Sequence, residues 1–84
     1  MQKSIIENGI KKYLMKFVGT PRRISTCKTQ SKSYIKNEIY KVYKCENQIK
    51  FQGKFQNDLE EIIESEDVQY SFNVATYNFE YIKE

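Results

Sequence analysis

Between residues 39 and 55 the chain alternates apolar and polar positions as a β-hairpin requires. Ile39 to Cys45 and Ile49 to Phe55 are two strand-like runs separated by Glu46-Asn47-Gln48, a three-residue connection in which Asn47 can take the left-handed conformation. Tyr40 and Val42 share one face of the first run, and Ile39, Lys41, Tyr43 and Cys45 the other. On the second run Ile49, Phe51 and Phe55 oppose Lys50, Gln52 and Lys54. The tail reads as strand in the same way. Val68, Tyr70, Phe72 and Val74 alternate, and after Ala75-Thr76 the apolar phase moves to Tyr77, Phe79 and Tyr81, which implies a bulge or turn at 74–77.

Two segments carry a helical period. Ile6, Ile10, Tyr13, Leu14 and Phe17 fall on one helix stripe, with Ser4 and Glu7 spaced as a capping box, so one reading packs a helix over 4–17 on an antiparallel sheet. Asn8-Gly9 is a turn signal inside that stripe, and the run from Tyr13 to Val18 has strand composition ended by Gly19. The preferred reading is a short N-terminal helical turn and then a strand near 11–18. Later, Asn57 offers an N-cap to Asp58, Glu60 and Glu61, and Leu59, Ile62 and Ile63 make an apolar stripe. This predicts a short acidic helix over 58–65, whose last turn carries Glu64, Glu66 and Asp67 where the helix dipole disfavours them. From Thr20 to Ser33 the chain is polar, contains its only proline, and reads as a long surface loop around a short strand at 23–28.

Composition tilts the whole toward β-structure. Ile outnumbers Leu ten to two, there is one Ala, and β-branched plus aromatic residues make 30 of 84. The chain is short enough for one domain spanning 1–84, and the prediction is a mainly β, partly open barrel of about five strands with one short helix. Charge adds a polarity that the net value of +3 hides: through Lys54 there are 13 basic and 3 acidic residues, and after it 1 basic and 8 acidic.

The stretch Tyr34-Ile35-Lys36-Asn37-Glu38-Ile39-Tyr40-Lys41-Val42 resembles a segment of small SH3-like barrel domains carried by many phages and bacteria, where a Leu-x-Lys-Gly-Lys-x-Tyr-x-Val pattern leads into a long strand. The ending Phe79-Glu80-Tyr81-Ile82 is similar to the Phe-Glu-hydrophobic ending of the same domains, and together the two stretches cover about a sixth of the chain. The resemblance implies core positions at Tyr40 and Val42, Asn37 where the family places Gly, and a small binding module without enzymatic activity. Asn is the non-Gly residue best suited to that backbone position. The acidic helix departs from the simplest family pattern.

The absence of His removes the commonest general base and zinc ligand, and Cys27 and Cys45 are too few and too far apart in sequence to close a structural metal site. No glycine-rich phosphate loop occurs. No catalysis, metal or cofactor is therefore expected. Nor is a secretory signal or a run of about 18 apolar residues found, so the expected location is the cytoplasm. In that reducing setting the two cysteines are expected to stay thiols.

Two binding functions remain. The first is a protein-binding module in which Asp58, Glu60, Glu61 and Glu64 on the acidic helix occupy a basic groove of a partner. It would be a phage or mobile-element accessory protein acting as inhibitor or adaptor of a host or defence protein. The second is nucleic-acid binding by Arg22, Arg23, Lys41, Tyr43, Lys50 and Lys54, where basic side chains interleave with an aromatic on a strand platform. A pI of 8.8 is low for a dedicated nucleic-acid domain, and we adopt the protein-binding expectation. The discriminating observation is where the acidic segment lies relative to the basic hairpin.

Overall fold

The Asn8-Gly9 pair sets the N-terminal structure. Asn8 and Gly9 take φ of 51° and 77°, as a two-residue hairpin turn demands. They join β1 (Ser4–Glu7) to β2 (Ile10–Phe17), paired antiparallel from Ser4 opposite Tyr13 to Glu7 opposite Ile10. Neither the helical turn expected before residue 11 nor the alternative helix over 4–17 forms. A helix would bury Gly9 in its interior, a cost of about 1 kcal/mol relative to Ala, whereas the hairpin places both turn residues where their backbones are tolerated. The strand expected near 11–18 is present as β2.

The computed structural model describes residues 1–20, 23–25, 31–69 and 78–84. Arg22, Cys27, Tyr70, Phe72, Val74 and Tyr77, with the expected bulge at 74–77, lie outside the described residues. The polar stretch after Thr20 contains β3 (Arg23–Ser25), which pairs with β4 (Ser31–Tyr34). The expected central hairpin is β5 (Ile39–Cys45) and β6 (Gln48–Asn57). Cys45 pairs with Gln48, so the turn has two residues instead of three, and Glu46 takes the left-handed φ of 57° that was assigned to Asn47. Asn37 adopts φ 68° in the turn before β5, where its N–H donates to the Phe17 carbonyl at 2.8 Å.

The acidic helix over 58–65 is replaced by a turn and a strand, β7 (Ile62–Gln69). Asn57 does cap, but its Oδ1 accepts the N–H groups of Leu59 and Glu61, both at 2.9 Å, and Glu60 turns left-handed at φ 60°. The chain thus folds back, and Ile62, Ile63 and Val68 join the ladder of β6. A strand also avoids placing carboxylates at a helix C-terminus. Last comes β8 (Phe79–Tyr81), which pairs with β2.

The eight strands of the described residues belong to one sheet, in the order β1-β2-β5-β6-β4-β3, with β7 on β6 and β8 on β2. Every pairing is antiparallel. The long strand β6 serves two partners on one edge, β5 along its first half and β4 along its second. That arrangement gives the mainly β, partly open barrel expected, with eight strands where about five were expected. The core is almost entirely aromatic: Phe17, Tyr34, Tyr40, Phe51, Phe55 and Phe79, with Met15 and Val42. Tyr34 is its hub, with ring centroids of Phe17, Tyr40, Phe51, Phe55 and Phe79 between 4.9 and 5.5 Å away. Rings of this size fill the volume that a chain nearly devoid of Leu and Ala cannot fill otherwise.

Tyr40 links this core to the backbone. Its hydroxyl accepts the N–H of Ile35 at 2.7 Å and donates to the carbonyl of Lys54. Its ring lies against Gly53, where a Cβ would stand 2.8 Å from Tyr40 Cδ1. At the same place the β6–β7 register shifts between Phe51 and Gly53. The extra residue is on β7, between Ser65 and Val68, at the level where β6 passes from its β5 partner to its β4 partner.

Candidate functional site

The strand registers bring Lys41 and Tyr43 of β5 to the same face as Lys50 and Lys54 of β6, because directly opposed residues share a face and alternate residues repeat it. Lys41 stands opposite Gln52, and Tyr43 opposite Lys50. Arg23 is two strands away, on β3 beyond β4, and only its backbone is described. The basic set predicted for nucleic acid is therefore partly assembled, on the outer surface of the barrel.

That surface is engaged with carboxylates of its own chain. Glu7, at the end of β1, accepts hydrogen bonds from the amines of both Lys41 and Lys12, the latter at 3.2 Å. These two bonds, Lys41 first, hold the Glu7 carboxyl below its ordinary range. Lys12 is 8% exposed; its amine also donates to Gln52 Oε1 at 2.9 Å and sits 4.6 Å from the centre of the Tyr43 ring. The enclosed amine thus meets an anion, an amide oxygen and an aromatic face together. Glu7 and Lys12 were not singled out in the sequence, and Glu7 lies 34 residues from Lys41. The one available signal was the Asn8-Gly9 turn, since a two-residue hairpin there sets Glu7 diagonal to Lys12.

Elsewhere on the same sheet Glu64 stands opposite Lys54, and Glu80 opposite Lys16. The acidic segment consequently runs beside the basic hairpin along β7, while Asp58, Glu60 and Glu61 project beyond it in the β6–β7 turn. Of the four predicted acidic residues the turn holds three, and Glu64 is separated from them on a strand.

The turn is ordered by its own hydrogen bonds. Besides the two N–H groups received by Asn57 Oδ1, Asn57 N–H donates to the Glu61 carbonyl at 3.0 Å and Glu60 N–H to the Asn57 carbonyl at 3.0 Å. The Asn57 amide donates to Glu61 Oε2 at 3.3 Å. On this frame Leu59 is 76% exposed and Ile62 56%. Two large apolar side chains thus stand in water beside three carboxylates, where β6 turns into β7.

Cys45 is a free, half-buried thiol at the far end of β5. Among the described residues, no group of three or more Cys, Asp or Glu converges to hold a metal ion, and no helix is long and apolar enough to cross a membrane. No protein-family model, curated protein or solved structure matches the chain.

Proposed function

We propose that this protein is a non-enzymatic binding module that docks the β6–β7 tip onto another protein. The observation that carries the reading is the exposure of Leu59 and Ile62 on a turn already locked by Asn57 and flanked by Asp58, Glu60 and Glu61. Fully burying one such aliphatic side chain contributes about 1.5–3 kcal/mol. A pre-ordered turn loses little conformational freedom on binding, so more of that gain appears as affinity. Glu60 supports the same reading: a non-glycine residue at φ 60° is a costly conformation that leaves a carboxylate standing at the apex.

The partner this tip fits has an apolar pocket rimmed by Lys or Arg. A protein surface that itself receives phosphate groups has that chemistry, and the tip would then act as a competitor or adaptor there. An accessory protein of a phage or mobile element, directed at a host or defence protein and working in the cytoplasm, is the biological setting we propose; the resemblance to SH3-like binding modules is part of the same proposal. Nucleic-acid binding is the less supported class, because Glu7 holds Lys12 and Lys41, and Lys12 in turn covers the Tyr43 ring.

The test is capture of partner proteins by the tagged module, comparing the parent with Glu60, Glu61 and Glu64 reversed to Lys and, separately, with Leu59→Ser. Both variants should lose a partner that the parent retains. Unchanged capture by both refutes the role of the tip. A parallel titration with single- and double-stranded oligonucleotides at about 50 and 200 mM salt addresses the other class, which a steep loss of affinity with salt would establish.

A further inference from the structure

Besides Met1, Ile39 and Tyr81, exposed apolar side chains stand at two ends of the barrel that differ in chemistry. The ten residues of β6 run from one end to the other, a span of roughly 30 Å at 3.3 Å per residue. At the C-terminal end of β6 lies the tip with Leu59 and Ile62. Its N-terminal end lies beside the Asn8-Gly9 turn, because the row Tyr13, Val42, Phe51 and Val68 crosses β2, β5, β6 and β7 with their directions alternating. At this second end Ile6 is 75% and Ile10 40% exposed, on opposite faces of the β1–β2 hairpin because Ile6 pairs with Lys11 and Ile10 with Glu7.

The charges at this second end are basic. Lys11 stands opposite Ile6 on β2, with its amine 5.3 Å from the Tyr13 ring, and Lys44 stands opposite Ile49 on β5. Both lysines are exposed. Glu46 of the β5–β6 turn offsets part of this charge, and Glu7 is committed to Lys12 and Lys41. Lys11 alternates with Tyr13 and Lys44 with Val42, which stand opposite each other, so both lysines share the face of Ile6. The two ends are then complementary twice over: an isoleucine beside lysines at one, leucine and isoleucine beside carboxylates at the other.

We propose that the tip of one molecule docks on the Ile6 face at this second end of another copy, with Leu59 and Ile62 against Ile6, and Glu60 and Glu61 facing Lys11 and Lys44. The inference rests on reading the tip as a docking element and names its occupant. Because the two surfaces lie at opposite ends of one chain, the contact is heterologous and repeats head to tail instead of closing as a two-fold dimer. Each end is small, so the association is weak and driven to completion only at high protein concentration. Its ionic part makes it sensitive to salt.

Sedimentation equilibrium of the full chain, from about 0.05 to 1 mM protein in about 20 and 500 mM salt, tests this directly. The weight-average mass should rise above the 10.1 kDa monomer with concentration at low salt and return toward it at high salt. The doubly reversed variants Glu60→Lys/Glu61→Lys and Lys11→Glu/Lys44→Glu should each stay monomeric alone and associate when mixed in equal amounts, since each restores the charge the other lacks. Thermal melts confirm that both variants fold. A parent that remains monomeric at about 1 mM in low salt, or variants that associate alone as the parent does, overturns the head-to-tail contact. A monomeric parent that still captures another protein through its tip overturns this inference and leaves the proposed function standing.

Discussion

Removing one hydroxyl from the core by Tyr40→Phe isolates the bond that ties the aromatic cluster to two stretches of backbone. The ring stays, so no cavity larger than an oxygen atom opens. What disappears is the acceptor of the Ile35 N–H at 2.7 Å and the donor to the Lys54 carbonyl. Tyr40 is fully buried, so neither backbone group regains water without distortion of the turn before β5 or of β6 beside Gly53. Leaving buried polar groups unpaired costs about 1–3 kcal/mol. For a domain of this size a loss of about 2 kcal/mol lowers Tm by roughly 8–16 °C. Urea unfolding followed by far-ultraviolet circular dichroism gives the free energy, and a thermal melt the Tm. Tyr81→Phe is the control, since that ring is 41% exposed and its hydroxyl loss should stay within about 0.5 kcal/mol. Equal stability of the Tyr40→Phe and Tyr81→Phe proteins would refute the reasoning. Tyr40 also predicts an alkaline signature. Burial pushes its ionisation up to about 12, while the unfolded chain ionises near 10. Its contribution is complete below pH 10 and declines as pH rises from about 10 toward about 12, because only the unfolded chain readily releases the proton. That decline should be smaller in Tyr40→Phe than in the parent.

Two further substitutions probe the contact of Gly53 with the Tyr40 ring and the outer ion network. Gly53→Ala sets a Cβ 2.8 Å from Tyr40 Cδ1 in a ring that cannot retreat, so a destabilisation of about 1–3 kcal/mol is expected in urea unfolding, and a protein as stable as the parent would show that the ring can move. Glu7→Gln removes the anion shared by Lys12 and Lys41. Since those lysines hold the Glu7 carboxyl below its ordinary range, its contribution is present above the unfolded value and disappears as pH falls through the folded one. The parent should therefore lose its stability advantage over Glu7→Gln on acidification from pH 6 to pH 3, and a constant difference across that window would contradict the network.

The features legible in the sequence were those decided within a few residues. The β5–β6 hairpin follows from alternation around a short polar turn, and the left-handed backbone at Asn37 from the tolerance of Asn for positive φ. Residues 58–65 were misread because their local signals serve two structures equally. An Asn that caps a helix also accepts N–H groups in a tight turn, and Leu59, Ile62 and Ile63 look like a helical stripe while Ile62 and Ile63 are good strand residues. The deciding interaction is the ladder with β6, in which Ile63 stands opposite Phe55 and Glu64 opposite Lys54. At the N-terminus the helical period of the apolar positions conflicted with Asn8-Gly9, and the turn prevailed because β2 pairs with β5 on its other edge. Glu7 was invisible as a functional residue because its partner Lys41 comes from another hairpin.

The charge imbalance along the chain has a structural resolution that narrows what a partner can use. Glu7 comes from the basic half and binds two lysines of that half; Glu64 and Glu80 come from the acidic half and stand opposite Lys54 and Lys16. The antiparallel sheet thereby interleaves charges that the sequence keeps apart, and shortens the reach of the field that the lysines would otherwise present to a polyanion. Glu60 and Glu61 follow a different rule, since their place beyond the last rung of the β6–β7 ladder gives them no opposing strand residue. The same turn leaves Leu59 and Ile62 exposed. The turn that closes this hairpin lies past the last rung of the β6–β7 ladder, and that position accounts for the exposure of its carboxylates and of Leu59 together.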